Sequence, residues 1–275
     1  MGDFIRYNYV ELIVAIFLIA AIIISYNIFK TKRNRFKAAY YWYLILYKLG
    51  LKKRISSVYT TKVHVKENYE HLVDLVKHPK IIINDETVEH PVLLRKSVAI
   101  KIYNVADQLP DGVYLKIYRA FRSKLAVYNT WNEEIDRVER ENPNIGRAQL
   151  LTIVNNKVSN PNASMGGHET GGAVDIALCD KNGKDLDYGT KYHEKYNVRH
   201  LTKEQKENRR YLTRLMKAQN FVKNPSQWWH FSYGDKMWAA YKGKKYGFYD
   251  SAEKEFEKMG YMRMIKTDIS SANIK

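Results

Sequence analysis

The stretch SMGGHETGGAVDIAL, residues 164–178, places one histidine and one aspartate among glycines and small apolar residues. An unpaired carboxylate in such a run would cost several kcal/mol, so Asp175 needs a partner, and a metal ion is a good candidate. On one continuous helix His168 would lie about 10 Å from Asp175 along the axis, too far to share a metal. Gly171 and Gly172 allow a sharp reversal, after which both side chains can reach one Zn²⁺ at about 2.0–2.2 Å.

A third zinc ligand is needed, and His230 in the sequence QWWHFSY is the best candidate. Zinc sites that carry out chemistry have three protein ligands and one position open to water or substrate. Taken alone, two histidines and one aspartate are a weak signal, because buried histidines are more often hydrogen-bonded core residues than ligands. The residue types therefore leave both interpretations open.

The segment that contains the acid has the pattern of a strand. Residues 173–178 alternate, so that Asp175 shares a face with Ala173 and Ala177, where another group can approach closely. Asp180 to Gly183 is typical of a turn. This strand is expected to position the carboxylate.

The remaining elements indicate a mixed fold. VYLKIY predicts a strand, and SKLAVYNTWNEEIDRVERENP predicts a helix that ends before Pro143. Thr202 and Gln205 form a capping box that begins a helix reaching about Asn220. FVKNPSQWWHFSY is typical of a final strand entered through Pro225. We expect the α+β class, a central antiparallel sheet flanked by helices.

An apolar segment precedes this domain. From Leu12 to Phe29 there are 18 residues without a charge, which span about 27 Å as a helix, close to the hydrocarbon thickness of a bilayer. A retained membrane anchor is favoured over a cleaved signal peptide, because Arg6 is the one basic residue before it and no small-x-small cleavage site follows. The more basic flank follows the segment, which favours a cytoplasmic domain; an extracytoplasmic domain is the alternative.

The residues after the anchor are basic and aromatic. AAYYWYLILYKLGLKKR, residues 38–54, suits a membrane interface, although a helix packed on the soluble domain explains it nearly as well. The whole chain carries 46 Lys and Arg against 29 Asp and Glu, a formal charge of +17, but no motif typical of nucleic-acid binding. The single cysteine, Cys179, excludes an intrachain disulfide. We expect membrane lipid, and no nucleic acid, as a partner.

Several separated motifs together indicate a family. GGHETGGAVDIAL, DLDYGT, NRRYLTRLMKAQNF and SQWWHFSYGD occur in this order. They resemble the zinc D-alanyl-D-alanine dipeptidases, which are related to the D,D-carboxypeptidases of peptidoglycan. The resemblance implies that His168, Asp175 and His230 bind one Zn²⁺ per chain and leave a position open for water.

The resemblance also implies an arginine that stabilises the oxyanion, following a strand. In IYRAFRS, Arg122 fits the family spacing better and Arg119 is the reserve. Where the family has the glutamate that takes a proton from water, this chain has Gln227, and a neutral amide cannot accept that proton. Glu169, beside His168, is a conceivable but weaker substitute.

The expected protein is therefore a membrane-anchored zinc peptidase. Its expected parts are an anchor over 1–30, a basic and aromatic juxtamembrane segment over 31–59, and a peptidase domain over 60–275. Its expected substrate is D-Ala-D-Ala or a peptidoglycan stem peptide. The alternative is a non-catalytic zinc protein that binds peptidoglycan fragments at the membrane, because Gln227 occupies the position of the base.

Overall fold

The computed structural model describes residues 2–86, 91–158, 160–161, 166–194 and 200–260. The chain divides into two compact units, residues 1–59 and 60–275.

The first unit is helical. Its helices are α1 (Gly2–Phe29) and α2 (Lys32–Lys48), and α3 (Ser57–Thr60) lies at the boundary of the unit. Within the described residues, the window Leu12–Phe29 is the one stretch long and apolar enough to cross a membrane, a test that a signal sequence also passes. Thr31 has an extended backbone and its hydroxyl accepts a hydrogen bond from the Asn34 N–H, which caps α2 and separates it from α1.

The second unit alternates strands and helices. Its strands are β1 (His64–Val65), β2 (Leu72–Asp74), β3 (Ile81–Ile83), β4 (Leu93–Arg95), β5 (Tyr114–Arg119), β6 (Ala173–Cys179), β7 (Val222–Lys223), β8 (His230–Ser232) and β9 (Tyr246–Gly247). Its helices are α4 (Lys96–Asp107), α5 (Lys124–Glu141), α6 (Arg147–Lys157), α7 (Lys203–Ala218), α8 (Lys236–Lys242) and α9 (Glu253–Lys258), with a short 3₁₀ helix at His168–Thr170.

A five-stranded sheet forms the centre of this unit, in the order β3-β5-β6-β8-β7. β3 pairs with β5 in parallel, and the other neighbours are antiparallel. Every residue of β6 is buried, so the strand that carries Asp175 is covered on both faces. The expected α+β class is confirmed, and the parallel β3 makes the sheet mixed at one edge.

The C-terminal part of the sheet differs from the sequence prediction. FVKNPSQWWHFSY forms two short antiparallel strands, β7 and β8, where one strand was expected. A turn joins them: the Asn224 side chain accepts the Ser226 N–H at 3.0 Å, and the Asn224 carbonyl accepts the Gln227 N–H at 3.2 Å. Asparagine followed by Pro225 favours such a turn, because the proline has no N–H for a strand ladder.

The glycine pair before β6 is sterically required. A Cβ at Gly172 would lie 2.4 Å from the Tyr233 carbonyl oxygen and 2.9 Å from the Tyr249 ring. We expect Gly172→Ala to lower the free energy of unfolding by about 1–3 kcal/mol, the usual cost of overpacking. The measurement is urea unfolding of the full chain. Gly166→Ala is the matched control, since its Cβ would meet Glu169 at an ordinary 3.7 Å; equal losses in both variants would contradict the steric argument.

Candidate metal centre

Two neighbouring strands and one turn bring three side chains together. β6 and β8 are antiparallel, and their register places Asp175 opposite His230. His168 begins the 3₁₀ helix, which ends at Gly171 with a left-handed φ of 69°. Glycine adopts this conformation without steric cost, so the chain can reverse before it enters β6. The reversal predicted from the two glycines therefore brings His168 to Asp175.

The three side chains converge on one point. Asp175 Oδ1 lies 3.2 Å from His168 Nε2 and 2.8 Å from His230 Nδ1. One ligand atom from each of the three residues lies within 4.8 Å of the others. A tetrahedral zinc with bonds of about 2.0–2.3 Å separates its ligand atoms by about 3.3–3.7 Å. The separations from Asp175 Oδ1 are somewhat shorter than this, so the donor set suits zinc in type, and the side chains would move slightly apart to hold the ion.

Each imidazole is held by a hydrogen bond from its other nitrogen. His168 Nδ1 lies 2.8 Å from the Ala120 carbonyl oxygen, which can only accept, so Nδ1 carries the proton there. His230 Nε2 lies 3.2 Å from Ser232 Oγ. Such outer bonds fix the tautomer of a ligating histidine and direct the other nitrogen to the metal.

The electrostatic state of the centre also suits a cation. Burial lowers the pKa of His168, against the opposing effect of the Asp175 charge. Burial acts to raise the pKa of Asp175, but His168 and His230 together hold it well below its usual range. A neutral imidazole and an ionised carboxylate, the states favoured for His168 and Asp175, are the forms that bind metal.

Tyr192 was not singled out from the sequence, yet it contacts the centre. Its hydroxyl donates to Asp175 Oδ2 at 2.9 Å, and burial together with the Asp175 charge raises its pKa, so it stays a protonated donor. The bond fixes the orientation of the carboxylate and leaves Oδ1 toward the two histidines.

We expect Tyr192→Phe to weaken zinc binding by about 10–100-fold, the usual cost of losing an outer partner of a ligand. Competition with a chelator of known affinity measures this change. Tyr118→Phe is the control, because Tyr118 stacks on Tyr192 at 4.1 Å between ring centroids but bonds Asp185. Equal affinity in wild type and Tyr192→Phe would show that the hydroxyl does not support the ligand.

A second layer lies behind His230. Ser232 Oγ faces His230 and is also hydrogen-bonded to the buried Asp235 carboxylate. Asp235 Oδ1 accepts a hydrogen bond from the Trp238 N–H at 2.7 Å. A Cβ at Gly167 would lie 2.6 Å from Asp235 Oδ2, so a larger residue beside His168 would displace this carboxylate. Gly167 thus allows the two layers to approach.

The two candidate arginines have different partners. The Arg122 backbone N–H donates to the His168 carbonyl at 3.2 Å, and its guanidinium donates to the Ala126 carbonyl at 3.0 Å and to Thr130. Arg119, opposite Asp175 in the sheet, has Nη1 3.3 Å from His193 Nε2. Burial and the charge of Arg119, then that of Arg122, lower the pKa of His193 to about 4. The positive charges of both arginines therefore reach His193.

Gln227 and Glu169 occupy separate turns. The Asn224 amide donates to Gln227 Oε1 at 2.8 Å, so this side chain is held within the β7–β8 turn, three residues before His230. Glu169 Oε1 accepts the Gly166 N–H at 3.0 Å, which engages this carboxylate in the loop before His168. The bond gives Glu169 a local structural role in that loop.

The sequence offered unequal signals for the residues around the centre. Ser232 follows His230 by two residues on a strand, so both point to one face, and this spacing could have identified it. Tyr192 lies 17 residues from Asp175 outside any regular element, and the Ala120 carbonyl is a backbone group. Neither of these contacts has a periodic pattern that a sequence could reveal.

A family model described as D-Ala-D-Ala dipeptidase matches residues 83–252. A D-alanyl-D-alanine dipeptidase of Synechocystis sp. is 27% identical over 208 residues, which cover 62% of this chain and 82% of that protein.

Two solved structures are also similar to the chain. VanYB in complex with D-alanine-D-alanine is 16% identical, and the match covers 57% of this chain and 81% of the VanYB chain, with a TM-score of 0.37. The second is a mutant of the vancomycin-resistance D,D-pentapeptidase VanY in complex with Zn(II), which is 16% identical. The match covers 59% of this chain and 89% of the VanY chain, with a TM-score of 0.38.

Proposed function

The chain belongs to the D-Ala-D-Ala dipeptidase family of peptidases, and we propose that it is a membrane-anchored zinc peptidase acting on D-Ala-D-Ala or a related D,D-peptide bond of peptidoglycan. The observation that carries this proposal is the convergence of His168, Asp175 and His230 within 4.8 Å. The match to the family model and the similarity to the dipeptidase of Synechocystis support this substrate class.

Different residues of the chain would bind the metal, stabilise the oxyanion and orient the water molecule. When bound, zinc acidifies a water molecule and polarises the scissile carbonyl. His168, Asp175 and His230 would hold the ion, and Arg122, with Arg119 as the reserve, would offer fixed donors to the charge that develops on the carbonyl oxygen. Gln227 would orient water without accepting its proton.

The direct test is zinc content together with D-alanine release by the purified full chain. We expect one zinc per chain, and release of free alanine from D-Ala-D-Ala but not from L-Ala-L-Ala. Dialysis against a chelator should remove the zinc and abolish the hydrolysis of D-Ala-D-Ala, and added zinc should restore the metal content and the activity. A chain that purifies without zinc and takes up none would contradict the proposal.

A second function is supported by the neutral side chain of Gln227, the residue that the family resemblance assigns to the base position. It is a non-catalytic zinc protein that binds peptidoglycan fragments at the membrane. Both functions predict stoichiometric zinc, so turnover distinguishes them. The binding function is supported if the zinc-loaded chain binds D-Ala-D-Ala by calorimetry but releases no D-alanine over hours.

We further propose that Leu12–Phe29 anchors the chain and that the peptidase unit lies on the cytoplasmic side. The basic residues that follow the apolar window support this orientation through the positive-inside rule. Protease added to intact spheroplasts should leave the peptidase unit uncut. Digestion before lysis would place the unit outside, where a stem peptide becomes the expected substrate.

A further inference from the structure

Helix α2 has two apolar faces, and they differ in what they contact. On the inner face, Phe36, Tyr40 and Tyr43 surround Tyr59, with ring centroids 5.0, 5.9 and 5.4 Å from it. The other apolar face consists of Tyr41, Trp42, Ile45 and the capping residue Leu49, which are between 48% and 67% exposed. These four residues are here named the outer face of α2.

The spacing of the outer face makes it a continuous stripe. Positions 41, 42, 45 and 49 fall within about 100° of one another around a helix of 3.6 residues per turn. Tryptophan and tyrosine on such a stripe are typical of side chains that sit at the boundary between lipid and water. A scattered exposed leucine needs no explanation, but an aligned aromatic and aliphatic stripe does.

The charge around this stripe is of one sign. Between residues 30 and 54 the chain has nine Lys and Arg and no Asp or Glu. Arg35, Lys37 and Lys48 on α2, and Lys52, Lys53 and Arg54 after it, are exposed. A polybasic segment of this kind is attracted to a bilayer that contains anionic phospholipid.

The connection to α1 puts this segment directly after the proposed membrane anchor. α2 begins three residues after the apolar window ends at Phe29, and the extended Thr31 interrupts the helix between them. The junction is fixed by hydrogen bonds from Asn34 Nδ2 to the Asn27 carbonyl at 2.6 Å and from Arg35 Nη1 to the Phe29 carbonyl at 3.0 Å. These bonds satisfy carbonyls at the end of α1 from side chains of α2.

We infer that the outer face of α2 binds the surface of an anionic bilayer, so that the chain has a second, charge-selective lipid contact beside its spanning helix. This inference rests on the proposed membrane anchor and is independent of the peptidase activity. It assigns a partner of one chemistry, phospholipid headgroups with a net negative charge, to a face that the proposed peptidase reaction does not use.

Site-specific fluorescence on the full chain tests the inference. An environment-sensitive dye is attached to a cysteine introduced by Trp42→Cys, Ile22→Cys or Lys181→Cys in three separate variants. The native Cys179 is buried, so the introduced cysteine is the one labelled. The proteins are reconstituted in vesicles of phosphatidylcholine with or without phosphatidylglycerol. Lipids carrying a quencher near the headgroup or in mid-chain then report the depth of each dye.

We expect the dye at 22 to be quenched from mid-chain in both vesicles and the dye at 181 to be quenched by neither lipid. The dye at 42 should be quenched from the headgroup level, about twofold more strongly with phosphatidylglycerol. About 1 M salt, where the Debye length is about 3 Å, should remove that difference. The triple variant K52Q/K53Q/R54Q should reduce the difference while leaving the dye at 22 unchanged.

Three results would overturn the inference. If the dyes at 42 and 181 are both unquenched while the dye at 22 is quenched, the proposed anchor is supported but the outer face does not contact lipid. If the dye at 42 is shielded without quenching, and energy transfer between chains depends on dilution, a second copy covers the face. If the dye at 22 is not quenched either, the proposed anchor is wrong, and this inference fails with it.

Discussion

Replacing Gln227 with glutamate is expected to raise the rate of D-Ala-D-Ala hydrolysis by about 10²–10⁴-fold, the usual contribution of a general base. The neutral amide can orient a water molecule but cannot accept its proton. A carboxylate of nearly the same shape can do both. At the proposed base position, the substitution would therefore supply a proton acceptor without a change in the fold.

The surroundings of Gln227 can accommodate that change. The Asn224 amide donates to Gln227 Oε1 at 2.8 Å, and it would donate equally well to a carboxylate oxygen. The turn that holds the side chain depends on Asn224 and on the backbone N–H of Gln227, which the substitution leaves in place. The comparison is made with zinc-loaded full chain of both forms, from kcat and KM for the dipeptide.

Gln149→Glu is the matched control, since it makes the same charge change on an exposed position of α6. It should leave the rate unchanged. If the wild-type chain is already as active as the Gln227→Glu variant, another residue is the base and the role of Gln227 is wrong. If neither turns over despite bound zinc, the substrate is different or the protein only binds.

The parts of the fold that the sequence predicted are those governed by local chemistry. Thr202 and Gln205 form the expected capping box, and α7 ends just before Asn220, whose φ of 68° suits the end of a helix. The strand around Asp175 and the helix that ends before Pro143 are also present. Capping, alternation and proline each act over a few residues, so a sequence reveals them.

The parts that were not predicted depend on distant contacts. The parallel pairing of β3 with β5 joins residues more than thirty positions apart, and nothing in either strand specifies its neighbour. The bonds from His168 to the Ala120 carbonyl and from Tyr192 to Asp175 depend on where loops cross the sheet. The resemblance to the family suggested which side chains belong to the site, whereas the groups that hold them emerged from the fold alone.

Replacing Asp175 with asparagine is expected to remove zinc binding, with a loss of affinity greater than the about 100-fold upper range for outer partners of a ligand. Asparagine has the same shape, but it brings no negative charge to the ion. Asp175 Oδ1 also lies next to a ring nitrogen of each histidine, at 3.2 Å from His168 Nε2 and 2.8 Å from His230 Nδ1. The substitution would therefore remove one proposed ligand and disturb the placement of the other two.

The same substitution separates metal binding from folding. A ligand that binds only the folded chain adds about 4 kcal/mol of stability at a free concentration of about 1,000 times its Kd. Thermal unfolding of wild type should therefore shift upward with zinc, whereas Asp175→Asn should unfold at the same temperature with zinc and with chelator. The pKa of Asp175 is held below its usual range in the folded chain, so its ionised carboxylate stabilises the fold at neutral pH, and the chelated variant should be less stable than chelated wild type.

Asp180→Asn provides the control, because Asp180 follows the same strand and its Oδ1 accepts the backbone N–H groups of Asn182 and Lys184 at 2.8 and 3.0 Å. That variant should lose some stability and keep the full response to zinc. A zinc response that survives in Asp175→Asn would mean that the ion binds elsewhere. Since the proposed reaction depends on this one centre, peptidase activity that persisted in Asp175→Asn would contradict the proposed function itself.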